Sequence, residues 1–198
     1  MKNDRSITLE EIKELKACSE GIAWFGETFG ERVSLKELLL KVEKSEFKVW
    51  IVGNLLTKDD EDLVIESNDA ITSYFFVAKN PGVDIKRLQE VSIAGKDPSA
   101  CYLFAMYIPG ADTQRLQEVV INSKASTYCY WFAKNIQGAD IQRLQEVVIA
   151  GKVAVLCYRF ALNVTGADIK RLQEVVVSSK NKSLIAEFTE DFKANKGQ

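Results

Sequence analysis

A chain of 198 residues, 46% hydrophobic and 27% charged, has a globular composition and room for one core or one array of stacked units. Its net charge of −2 supplies no global positive field, which counts against nucleic acid or acidic lipid recognised by charge alone. No apolar run approaches the ~18 residues needed to span a bilayer, and the absence of histidine and of any Cys-x-x-Cys pair counts against zinc.

Met1-Lys2-Asn3-Asp4-Arg5 leads into no hydrophobic signal core, so no cleaved secretion peptide is expected. Thr8-Leu9-Glu10-Glu11 fits a capping box, with a hydroxyl at the N-cap and a carboxylate three residues on. It predicts one helix over roughly 9–27, with Ile12, Leu15, Cys18 and Ile22 on its inner face. Gly21 interrupts that pattern, and Gly26 and Gly30 close it. Ser34-Leu35-Lys36-Glu37 is a second capping box, opening a short helix through Lys44 with Leu38, Leu39 and Val42 inward. Phe47, Trp50, Ile51, Leu55 and Leu56 mark a third helix. Residues 1–57 thus read as an N-terminal helical region and 58–198 as something different.

From Asp59 onward a 28-residue period takes over. Gly82, Gly110, Gly138 and Gly166 keep that spacing, as do Tyr74, Tyr102, Tyr130 and Tyr158, and Phe76, Phe104, Phe132, Phe160 and Phe188. Fixed-period self-similarity signals a repeat array. Full units fall at about 67–94, 95–122, 123–150 and 151–178, after a half unit at 60–66 and before a more polar capping helix at 181–193. Residues 194–198 read as a frayed tail. In the unit 123–150, Cys129, Phe132, Ala133 and Ile136 form one helical stripe, Gly138 ends the helix, and Asp140 caps a second helix carrying Ile141, Leu144 and Val148. Asp97 and Pro98 suit the start of a first helix. Helices of ~12 and ~9 residues cannot hide their apolar faces alone, so the units must stack. The expected fold is all-α, a helical-hairpin repeat solenoid with an N-terminal helical region. Cys101, Cys129 and Cys157 are one repeat position rather than a disulfide pattern, and free thiols suit a reducing cytoplasm.

The segment Tyr130-Trp131-Phe132-Ala133-Lys134-Asn135, followed by Gly138-Ala139-Asp140-Ile141 and Leu144-Gln145-Glu146-Val147-Val148-Ile149, resembles short helical repeats of uncharacterised bacteriophage and bacterial proteins. Lys16-Ala17-Cys18-Ser19-Glu20-Gly21-Ile22-Ala23-Trp24-Phe25, with Trp50 beyond it, resembles a small helical module found in the same setting. The resemblance implies a phage or bacterial origin and carries no catalytic or binding residues with it.

Four arginines, Arg87, Arg115, Arg143 and Arg171, each precede a glutamate by three residues, which predicts i,i+3 pairs on a solvated face with little net potential. Gln89, Gln117, Gln145 and Gln173 lie one step from the leucine stripe, where a hydrogen bond to an adjacent loop would account for them. Catalysis finds little support: there is no histidine, phosphate loop or paired-acid motif, and residues present in every unit suit no unique active site. No cofactor or metal is expected. The expected function is non-enzymatic protein binding, with a host protein as partner and inhibition as outcome if the phage resemblance holds. A nucleic-acid-binding solenoid is the alternative, on Lys86, Arg87, Lys170 and Arg171; the interleaved glutamates oppose it. Specificity should lie where units differ, and Tyr107, Tyr128, Trp131 and Arg159 are the candidate partner-binding residues. The stripe that holds them lies ~120° from the buried one, so packing on a neighbouring unit competes, with Trp131 and Arg159 the exceptions.

Overall fold

Backbone hydrogen bonding in residues 5–193, the part of the chain that the computed structural model describes, is dominated by helices. Two short strands that the periodicity does not announce open it. β1 (Ser6–Thr8) pairs antiparallel with β2 (Arg32–Ser34), with Ile7 opposite Val33 and both buried. Thr8 then caps α1 (Leu9–Glu14): its Oγ1 accepts from the Glu11 N–H, and the Glu11 carboxylate accepts from the Thr8 N–H.

The single helix expected over 9–27 is two helices. α1 stops at Glu14 because Lys16 turns left-handed (φ 56°), and α2 (Ser19–Phe29) restarts with Cys18 as its N-cap. Leu15 and Cys18, expected inside, are exposed as a result. Ser34 caps α3 (Leu35–Lys41), which ends three residues earlier than Lys44, and α4 (Ser45–Asn54) follows. Phe25, Leu35, Leu38, Ile51 and Val52 fill the core of this region.

A 3₁₀ turn (Lys58–Asp60) and α5 (Glu61–Ser67) supply the half unit. Hairpins follow: α6 (Ala70–Lys79) with α7 (Ile85–Ala94), α8 (Pro98–Tyr107) with α9 (Thr113–Asn122), α10 (Ser126–Asn135) with α11 (Ile141–Ala150), and α12 (Ala154–Asn163) with α13 (Ile169–Ser178). α14 (Lys182–Lys193) closes the array. Both helices of every hairpin have ten residues, rather than ~12 and ~9. Residues 194–198, read as a frayed tail, lie outside the described residues.

The chain divides into two compact units at Gly95/Lys96. In the first, the N-terminal region and the first hairpin form one body: α4 packs on α6 and α3 on α5. Lys48 on α4 pairs with Asp69, the N-cap of α6, and Lys79 donates to the carbonyls of Val52 and Gly53. In the second, α8, α10 and α12 pack in sequence as one layer, and α9, α11 and α13 as another. Between them Phe104, Phe132, Phe160 and Phe188, with Leu116, Leu144 and Leu172, are almost wholly buried.

The turns are equally regular. Gly110, Gly138 and Gly166 take φ of 83°, 78° and 84°, and a Cβ there would meet no neighbour within 4 Å, so glycine is needed for backbone conformation and not for space. Asp112, Asp140 and Asp168 then cap the second helices, Asp140 accepting from the Arg143 N–H at 3.1 Å. At the other end of the hairpins Lys96, Lys124, Lys152 and Lys180 all sit left-handed, at φ 53–59°. A left-handed side-chain-bearing residue costs about 1–2 kcal/mol. A cation beside a helix C-terminus regains ~0.3–1 kcal/mol, so lysine gives these turns no net structural gain.

Because each unit replaces its neighbour in register, deleting 151–178 joins Ala150 to Ser179, the equivalent of Gly151. We expect a folded, shorter protein with undiminished mean residue ellipticity at 222 nm and a cooperative melt. Collapse of the helical signal in that deletion would mean a single indivisible core.

Candidate protein-interaction surface

On the exposed face of the second helices, charged side chains pair from one helix to the next. The i,i+3 pairing expected for the arginines is replaced by pairing between units: Arg143 on α11 forks onto Glu118 of α9, and Arg171 on α13 onto Glu146 of α11, with Nη2···Oε2 distances of 2.9 and 2.8 Å. Arg87 likewise reaches Glu61 and Asp62 of α5 at 3.0 and 3.1 Å. The reason is reach. A guanidinium fork aligns with a carboxylate across the ~8–10 Å between packed helices better than along its own helix. Hydrogen bonds from Arg143 and Arg171 hold the Glu118 and Glu146 carboxyls below the usual carboxylate range.

The glutamines do what their angular position suggests. Gln117 and Gln145 are buried, and each Oε1 accepts the backbone N–H of the next unit's capping aspartate, Asp140 or Asp168, at 2.8 Å. In the first hairpin Glu61 stands 28 residues before Gln89 and accepts from the Asp84 N–H in the same way. Gln173 follows the pattern in sequence but is exposed.

On the first helices the inner stripe is packing. Cys101, Cys129 and Cys157 are buried, and burial pushes their thiols up to about 12, 12 and 11. Ser73 occupies the same position in the first hairpin and donates to the Leu88 carbonyl at 2.6 Å. The tyrosines tie one first helix to the next. Tyr102 Oη accepts from Asn135 Nδ2 at 2.9 Å, and the hydrogen bond from Tyr158 to Asp191 raises that phenol to about 12.

Four candidate partner-binding residues separate by depth. Tyr107 is 57% exposed and Trp131 38%, and Arg159 is exposed on the same outward side. Tyr128 is half-buried, its ring centroid 6.5 Å from that of Tyr102. The equivalents of Tyr128, namely Ala100 and Leu156, are buried, so the stripe turns from packing to surface within one helical turn. Met106, Val155 and Leu162 extend the exposed apolar surface, and Lys134 hangs 5.8 Å over the Trp131 ring. Sequence reasoning missed these three apolar positions because they match a helical apolar stripe as well as the buried residues do.

A separate cleft of about 570 Å³ opens in the N-terminal region between α2 and α4, lined by Trp24, Phe25, Phe47, Trp50 and Ile51. Lys44, ion-paired with Glu20 and 5.4 Å above the Phe47 ring, stands at its mouth with Cys18. Among the described residues no helix is long and apolar enough to cross a membrane, and no group of three or more His, Cys, Asp or Glu is placed to hold a metal. A scan against protein-family models, a search of curated proteins and a search of solved structures each found no match.

Two measurements check these placements. Ellman's reagent at pH 8 should label Cys18 within minutes and Cys101, Cys129 and Cys157 only on unfolding, since thiols with such raised pKa values hold almost no thiolate. Gln145→Ala orphans the Asp168 N–H and should destabilise by roughly 1–3 kcal/mol. Arg143→Ala removes an exposed pair and should cost under about 1 kcal/mol, less still at high salt. Urea melts of the two variants decide whether the glutamine or the arginine joins the units.

Proposed function

We propose that this protein is a non-enzymatic protein-binding module whose docking surface is the outer side of α8, α10 and α12. One observation carries the reading. These three adjacent helices contain no Asp or Glu, and they expose Met106, Tyr107, Trp131, Val155, Arg159 and Leu162 together. Aromatics and arginine are the residues on which binding energy concentrates, and a contiguous exposed apolar patch marks an interaction site. Apart from the turn lysines, the positions common to every unit are engaged in stacking, capping and pairing, so the variable outward positions of these helices are free for a partner. The second-helix arginines Arg143 and Arg171 are each held by a glutamate, which speaks against a phosphate-binding ladder there. The sequence resemblance to bacteriophage repeat proteins supports a host protein as the partner and inhibition as the outcome.

The test is a tagged bait in bacterial lysate, with cross-linking and mass spectrometry to identify what is held and where. Trp131→Ala with Arg159→Ala should then weaken the purified complex by more than ~2 kcal/mol, about thirtyfold, with the melting temperature nearly unchanged. Binding that survives while melting falls would put this stripe in the core. Recovery of nucleic acid in place of protein would favour the alternative class.

A further inference from the structure

We infer that the turn edge carrying Lys96, Lys124, Lys152 and Lys180 is a second docking surface, shaped for an extended acidic segment of a partner protein. These lysines occupy the same left-handed turn position in four successive repeats of the second compact unit. The residue after each lysine varies (Asp97, Ala125, Val153 and Asn181), while the one before is always small, Gly95, Ser123, Gly151 or Ser179. Other positions shared by every unit have a structural task in stacking, capping or pairing. The four lysines have none: all are exposed, and no ion pair is seen to them among the described residues. Asn68 holds the equivalent turn of the half unit at φ 52°, so the backbone itself accepts a neutral residue. A recurrent left-handed outlier with an exposed charge points to function.

Among the described residues no carboxylate pairs with these lysines, in contrast to the arginine ladder. Asp97, beside Lys96, is occupied in capping α8 through the N–H groups of Ser99 and Ala100, and Glu146, near Lys124, is held by Arg171. Next to Lys124 a groove of about 520 Å³ runs between the C-terminal ends of α9 and α11, floored by Ile121, Val147 and Ala150. Stacked units advance by ~8–10 Å, and three residues of extended chain cover about the same distance. A segment with a carboxylate every third residue therefore meets each lysine in turn and can place an apolar side chain in the groove. Single-stranded nucleic acid fits less well: no aromatic residue lies at 94–97, 122–125, 150–153 or 178–181 to stack a base. This inference does not rest on the outer face of α8, α10 and α12.

The probe is a fluorescein-labelled (Glu-Glu-Leu)6 peptide, titrated with the full chain by fluorescence anisotropy at low salt. Saturable binding is expected, falling about tenfold or more in K96N/K124N/K152N/K180N and retained in the fourfold Lys→Arg variant. Asparagine suits the left-handed turn, so the neutral variant should melt no lower than the parent. Trp131→Ala with Arg159→Ala should leave peptide binding intact, which separates this surface from the other one. Absence of binding by the parent overturns the inference, as does equal binding by the asparagine variant or by a (Gln-Gln-Leu)6 control. Tighter, lysine-dependent binding of a dT18 oligonucleotide would assign the row to nucleic acid and overturn it equally.

Discussion

Burial of the phenylalanine and leucine ladders between stacked ten-residue helices is the interaction on which everything else depends. A helix of ten residues is ~15 Å long and marginal on its own in water. Phe104, Phe132, Phe160 and Phe188 are almost wholly buried only because the neighbouring hairpin covers them. Each fully buried side chain of this size is worth roughly 1.5–3 kcal/mol relative to exposure. Stability is thus a property of the contacts between hairpins, and a hairpin by itself has little.

Directional contacts then set the register that the apolar ladder alone would leave loose. The Gln117 and Gln145 carboxamides read the position of the next unit's capping turn at hydrogen-bond precision, and they do so where water is excluded. Failing to make such a bond leaves a backbone N–H unpaired, which costs more than the bond itself contributes. The arginine–glutamate forks repeat the same step on the exposed side, where screening weakens them. Acting with the tyrosine links on the opposite layer, these bonds hold successive hairpins at one spacing.

That division of labour separates structure from recognition. Positions that repeat are consumed by stacking and register, which leaves the outward residues of α8, α10 and α12 free to differ. The turn lysines are the exception, repeated and exposed yet without a packing task. The N-terminal region follows other rules. Its strands and its split first helix obey no period, and it fuses to the first hairpin through α4 on α6 and through the Lys48–Asp69 pair.

By itself the sequence determined the array. The 28-residue spacing of glycine, aspartate, phenylalanine and leucine encodes turn, cap and buried stripe locally, so the hairpins, their glycine turns and aspartate caps, and the loop-reading role of the glutamines were legible from it, though not the exact helix lengths. Thr8 and Ser34 announced their capping boxes for the same reason. Tertiary structure decided what depends on neighbours distant in the chain. It set the break at Lys16 that turns Leu15 and Cys18 outward, the pairing of β1 with β2, and the choice of Glu118 over Glu146 as the partner of Arg143. It also decided which half of one apolar stripe is covered, burying Leu156 and exposing Trp131. Periodicity records the angle of a side chain around its own helix; only the packed neighbour determines whether that angle faces protein or water.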